Sequence, residues 1–252
     1  MIGIGPDTIV ATFLIFCRVG ACIMLMPGVS SPRVPVRARL FIAIGITLAL
    51  APLAVSEVAR AAGEGSPVVL ARLFVGETMI GAMIGVIARF FLLALETLAT
   101  SIAMAVGLGN VLGGPPLEGD DAVPPITSMI TFAATVLIFL TDLHWEVLRG
   151  LAASYTALPV TDGLAARFAL AQVGDGVAAA FFLALRISSP FIIFAIVVNL
   201  AVGILNKLTP QIPVYFISAP FVIAGGLVIL YFTSSQLLQA FVAGFTSWLR
   251  SG

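Results

Sequence analysis

Charge is what this chain has least of. Only 10% of its 252 residues are Asp, Glu, Lys or Arg, while 60% are hydrophobic and the mean hydropathy is +1.17. Soluble domains carry about 25% charged residues, so this composition excludes a water-soluble protein and predicts an integral membrane protein. Twelve basic and twelve acidic residues cancel, which leaves no basic surface and therefore no nucleic-acid partner. Histidine occurs once and cysteine twice. Cys17 and Cys22 lie five apart on one apolar helix and point to different faces, which argues against a disulfide or a metal pair. The sequence has no metal-ligand cluster, Walker loop or Gly-x-Gly-x-x-Gly fingerprint. His144 has only Asp142, two residues away, as an orienting partner, and a lone histidine at a helix end reads as structural. The chain thus reads as neither an enzyme nor a cofactor binder. No Lys or Arg precedes Arg18, so the first apolar segment lacks the charged start of a cleaved signal and is expected to stay in the mature chain.

What the chain does have is long apolar runs. The first begins at Pro6-Asp7-Thr8, with Asp7 as a plausible cap, and continues to about Met26. Arg18 alone interrupts it, and an arginine near the middle of a span is expected to face protein or water. Three prolines and a glycine then break the chain between Pro27 and Arg39. Arg33, Arg37 and Arg39 make this loop the densest positive cluster, which places it in the cytoplasm and the N-terminus outside. A short second segment runs from Leu40 to about Val55, ending around Pro52, and a connector is expected from Ser56 to Pro67.

From Val68 to Val106 the apolar pattern barely pauses, although it carries Arg72, Glu77, Arg89 and Glu96. Gly81 and Gly85 form a small-xxx-small pair that lets another backbone approach closely. Arg89 and Glu96 are two turns apart and share a face. As one helix this stretch would be nearly 60 Å long at about 1.5 Å per residue, about twice the hydrocarbon core, so it is either a tight hairpin or one long helix wrapped by protein. Ile126 to Leu140 is a further apolar run, with a semi-polar connector after it. The last third is two long stretches around the turn Lys207 to Pro213. The first (about Val173 to Asn206) holds Arg186, Asn199 and a Pro190 break, and the second (about Val214 to Trp248) holds Pro220 and the Gly225-Gly226 pair. A proline inside each predicts matched kinks.

Between the two halves lies Met104 to Pro125, whose five glycines and four prolines deny it a regular helix or strand. Its first half is apolar and its second half carries Glu118, Asp120 and Asp121. At membrane depth such backbone survives only when buried in protein or lining a watery cavity, so a plug, a re-entrant loop or a filter is open to it. Composition alone slightly favours an extramembrane connector with an acidic tip. The fold class expected is an all-α membrane protein with about six long, partly kinked apolar helices arranged as hairpins. It divides into N-terminal hairpins (1–103), the central loop (104–125), a helix and connector (126–171) and a C-terminal hairpin (172–252).

Four stretches in order resemble the FliR family, the R subunit of the flagellar type III export gate. They are Phe16-Cys17-Arg18-Val19-Gly20 with Pro27 and Val34-Pro35-Val36-Arg37; Met104-Ala105-Val106-Gly107-Leu108-Gly109; Asp142-Leu143-His144 with Leu148, Ser154, Tyr155 and Pro159; and Ala184-Leu185-Arg186 with Pro190, Asn199-Leu200-Ala201-Val202-Gly203 and Thr209-Pro210-Gln211. The last is also similar to the two-helix Q subunit. Gly113-Gly114-Pro115-Pro116 and the acidic run depart from the Phe-Asp-Pro-like stretch of many relatives. The resemblance implies a non-enzymatic subunit in the bacterial inner membrane, at the flagellar basal body. Its implied partners are P and Q subunits, an FlhB-type switch protein, an FlhA-type export protein and unfolded export substrates. It also reverses the reading of the central loop, making Met104, Gly107, Leu108, Gly109, Val111, Leu112, Gly113, Gly114, Pro115 and Pro116 a plug in the lumen. Arg18, Glu77, Arg89, Glu96, Arg186 and Asn199 become buried polar groups at subunit contacts. The competing reading is a secondary transporter of small solutes with broken helices at Pro190 and Pro220. The lack of an inverted repeat counts against it.

Overall fold

The computed structural model describes residues 5–31, 34–63, 66–108, 123–158 and 166–251. Seven α-helices account for nearly all of them, and no strand occurs among the described residues. Five helices are long and apolar enough to cross a membrane, and a broken pair makes a sixth candidate span. The all-helical class follows from the solvent: a bilayer supplies no hydrogen bonds, so each spanning segment must satisfy its own backbone.

The chain clusters into two compact units. The first holds α1 (Pro6–Leu25), α2 (Val36–Gly63), the start of α3 (Pro67–Ala105) and α5 (Leu143–Ala157). Gly5, not Asp7, is the N-cap of α1. Pro6 occupies the first helical position, where its fixed φ suits the helix and its missing N–H is not needed. Asp7 therefore sits inside the first turn, where its charge still favours the helix N-terminus. Helix α2 runs straight through Pro52 to Gly63, so the expected stop at Pro52 and most of the connector after it are helix. Broken backbone is far more costly in lipid than in water, which is why a proline that would end a soluble helix is carried here. Of the two readings of residues 68–106, the single long helix is the observed one.

Within this unit α1 and α3 run parallel. Phe13 meets Phe74 edge-on at 5.2 Å between ring centroids, Arg18 meets Glu77, and Gly85 faces the Cys22 backbone, in the same order along both helices. A Cβ at Gly81 would overlap the Arg18 carbonyl, and one at Gly85 would lie 2.7 Å from the Cys22 oxygen. The small-residue pair read from the sequence thus serves α1.

The second unit holds the end of α3, α4 (Pro125–Leu140), most of α6 (Ala166–Leu208) and most of α7 (Val214–Ser251). Phe91 packs on Phe245 and Trp248 at 5.2 and 5.1 Å, while Val106 sits on Gly226, so α3 and α7 are antiparallel here. Gly225 lies under Phe194 and Gly244 under Leu183, which closes α6 and α7 into a hairpin. Both continue through their prolines, Pro190 and Pro220.

The segment after Leu140 holds a second helix where the sequence reading had a connector. Asp142, at φ 57°, turns the chain, and α5 follows. Its buried residues Leu143, Val147, Leu151, Ser154 and Tyr155 recur at helical spacing. That amphipathic period is the signal that would have found it.

Candidate functional site

Helix α3 ends where the central loop begins, and the ending is specified by one glycine. Leu108 N–H donates to Ala103 C=O at 2.8 Å and Gly107 N–H donates to Met104 C=O at 3.1 Å. With Gly107 at φ 79° this is the Schellman arrangement, which satisfies the last carbonyls of a helix. Leu108 turns inward and is 5% exposed, while Met104 is 55% exposed. Leu108 and Ile126 line the same small apolar gap, with Val106, Ile130 and Leu230 around it. The last described residue before the loop and the start of α4 thus lie at one place in the second unit. Gly109, Val111, Leu112, Gly113, Gly114, Pro115 and Pro116 lie outside the described residues.

Beside the loop's first residues is a cleft of about 250 Å³ lined by Met104, Gly107, Asn199, Tyr215, Ser218 and Ile223 among others. Gly107→Ala tests how much the loop start depends on its backbone. A Cβ there would meet Ile223 at an ordinary 3.6 Å, so strain rather than crowding decides the outcome. The left-handed conformation is expected to lower the stability of the protein by about 1–2 kcal/mol. Gly107→Asn should recover part of this in the same thermal unfolding measurement.

The other candidate residues divide by environment. Arg18 is fully buried and Glu77 is 1% exposed. The guanidinium grips the carboxylate with two bonds, Nε to Oε2 at 2.7 Å and Nη2 to Oε1 at 2.6 Å. Its remaining donors reach α5 and the residue after it, with Nη1 bonding Ser154 Oγ at 3.0 Å and Nη2 bonding Leu158 C=O at 3.2 Å. The guanidinium carbon also lies 4.1 Å from the centre of the Tyr155 ring. Three helices, α1, α3 and α5, thus meet on one side chain. Sequence reasoning missed Ser154 and Tyr155 as members of this cluster, although both stood in the stretches carrying the family resemblance.

Arg89 and Glu96 are half-buried, and Arg186 and Asn199 are exposed in the isolated chain. Asn199 Nδ2 bonds the Ala195 carbonyl of its own helix at 2.8 Å. Arg39 is absorbed by the loop before it, donating to the carbonyls of Ser31 and Val34. The His144 ring lies tilted against Phe139 at 5.2 Å between centroids, and both cysteines are free.

Residues 9–248 match the family described as bacterial export proteins, family 1. The chain belongs to the FliR family. It is 31% identical over 229 residues to the flagellar biosynthetic protein FliR of Caulobacter vibrioides, covering 89% of this chain and 88% of that one. It is 27% identical over 211 residues to FliR of Escherichia coli, with 83% and 78% covered. FliR of Aquifex aeolicus matches at 27% over 188 residues, with 69% and 70% covered. This FliR-family chain is accordingly a multi-pass inner-membrane protein and a component of the flagellar export apparatus.

Proposed function

We propose that this chain is the R-type subunit of the export channel, building the pore for unfolded substrates together with P and Q subunits at the flagellar basal body. The observation that carries the reading, beside family membership, is the C-terminal hairpin. Val214–Leu249 is 36 residues of apolar helix, and only 6% of its most apolar window is buried by the chain itself. At about 1.5 Å per residue it is about 54 Å long, against a hydrocarbon core of about 30 Å, so lipid alone does not cover it. Neighbouring subunits supply the rest of its cover, with residues 172–252 packing as a Q-like subunit does. Arg186 and Asn199, both exposed in the chain alone, then face different neighbours, because thirteen residues of helix turn them well apart. The loop 104–125 is the plug, and the FlhB-type switch and FlhA-type export protein are the further partners.

Solubilisation of native membranes followed by affinity isolation of this chain tests the assembly. P, Q and FlhB-type proteins are expected to co-purify, and the chain expressed without P and Q is expected to aggregate or be degraded. A well-behaved monomer in mild detergent would contradict the proposal. Small-solute uptake by that monomer in liposomes would favour the transporter instead.

A further inference from the structure

The second unit carries a ring of polar side chains at one level. The contacts of Phe91 with Phe245 and of Val106 with Gly226 fix the register of α3 against α7. They put Glu96 opposite Gln239 and Thr100 opposite Ser234, to within a turn. The contacts of Leu183 with Gly244 and of Phe194 with Gly225 do the same for α6, putting Arg186 opposite Gln239 and Ser189 opposite Ser234. On α4, Ile130 shares a gap with Leu95, Ala99 and Ile102, which brings Thr131 and Thr135 to this level as well. Arg186, Ser189, Ser234 and Gln239 are exposed, while Glu96, Thr100 and the two α4 threonines are half-buried. The hydroxyls bond carbonyls of their own helices. The ion pairs among the described residues include neither Glu96 nor Arg186.

Between this ring and the turn after Leu208 the hairpin has a different character. Residues 190–206 and 214–232 contain no charged side chain. Asn199 and Ser218 within them bond carbonyls of their own helices. From 214 to 232 is about 27 Å of helix axis, which matches a hydrocarbon core of about 30 Å. An exposed tyrosine stands near each end, Tyr215 at 59% and Tyr231 at 77%, and Lys207 lies at the turn; tyrosine and lysine both favour the two surfaces of a bilayer. Contact with one neighbouring subunit calls for polar groups on one face of the unit. Polar groups at one level on four helices instead define a plane, and a bilayer surface is a plane. A charge is costly at hydrocarbon depth and readily placed at that surface. We propose that the bilayer crosses only this distal half of the hairpin, with the polar ring at its surface. This depth is independent of whether the chain lines a channel. The rest of α6 and α7 then stands outside the lipid. Gly107, whose Cβ position would lie 3.6 Å from Ile223, is at mid-depth. The central loop thus leaves α3 inside the hydrocarbon layer, where irregular backbone needs a surround of protein or water.

The test places nitroxide labels on single cysteines in the intact export complex, otherwise free of cysteine and reconstituted in phosphatidylcholine vesicles. Val197→Cys, Phe221→Cys and Val228→Cys report the distal half, while Ser189→Cys, Ser235→Cys and Gln239→Cys report the ring, all at exposed positions. Collision with dissolved oxygen, which concentrates in hydrocarbon, is expected to dominate in the first set and to peak near Phe221. Collision with a water-soluble nickel chelate should be several-fold higher in the second set. An oxygen maximum between Tyr231 and Ser235, at the midpoint of α7, would mean a bilayer centred on the whole helix and would overturn the proposal. Low collision with both reagents at every distal position would mean that protein surrounds that half, and would also overturn it. The wild-type complex, in vesicles of a phosphatidylcholine with a diazirine in mid-chain, gives the same reading without substitution. After illumination, lipid adducts should fall on residues 214–232 and spare 235–247, and adducts centred on the latter would contradict the assigned depth. Co-purification of the P and Q subunits is scored separately, so a failure of assembly and a misplaced depth are told apart.

Discussion

Removing Gly109 to Pro116 from the central loop is expected to leave the export complex assembled but leaky to ions and small solutes. The proposal that the loop is a plug rests on its glycines and prolines, its place between two apolar helical blocks, and family membership. Glycine backbone packs densely where side chains would leave gaps, and Met104, Leu108, Val111 and Leu112 supply apolar surface for a seal. Glu118, Asp120 and Asp121 belong nearer solvent, because three close carboxylates in a dry constriction repel one another. The deletion is compatible with the scaffold. Leu108 and Ile126 line one gap, and the six residues left between Leu108 and Val123 reach about 20 Å when extended. Membrane conductance, or entry of a small solute, should therefore rise several-fold in cells carrying the deletion, with protein export altered. A complex that assembles normally and stays as tight as the wild type would show that the loop is only a connector.

Replacing Arg18 by Met is expected to be the most damaging single change in the first unit. Its loss leaves Glu77, which is 1% exposed, without the partner that holds both carboxylate oxygens. Breaking one side of a buried pair costs about 3–5 kcal/mol, and a lipid surround offers the stranded carboxylate no relief. The α5 contacts to Ser154 and Leu158 go with it. The double change Arg18→Met with Glu77→Leu should recover much of the loss, since two packed apolar groups often replace a buried pair without penalty. Arg18→Lys should fall between, because an ammonium lacks the fork that grips Glu77 and reaches α5 at once. Thermal unfolding of the purified complex, or its abundance in the membrane, ranks the variants. A double mutant as unstable as Arg18→Met would show that the damage is lost packing around the guanidinium rather than a stranded charge.

The sequence by itself determined the class of the molecule. Apolar runs of spanning length and scarce charge dictate helices in a membrane, because only such segments satisfy their own backbone there. The end of α3 was legible too, since a Gly-rich stretch marks a left-handed stop. So were the need of Arg18 for a partner and the use of Gly81 and Gly85 for close packing, each read from one helix alone. What the sequence misjudged was the strength of its own breaks. Pro52 was read by the habits of helices in water, and α2 runs through it, whereas Pro190 and Pro220 were expected inside their helices, and α6 and α7 continue through both. Only the tertiary structure decided that the buried charge and the glycine pair answer one another. Gly81 and Gly85 let α3 lie parallel on α1 at the register that puts Glu77 against Arg18, 59 residues away in sequence. Ser154 joins from 136 residues away. Local pattern fixes which face a side chain occupies on its own helix, but the choice of partner depends on the offset and direction of another helix. Those are set by packing, and no spacing within one segment encodes them.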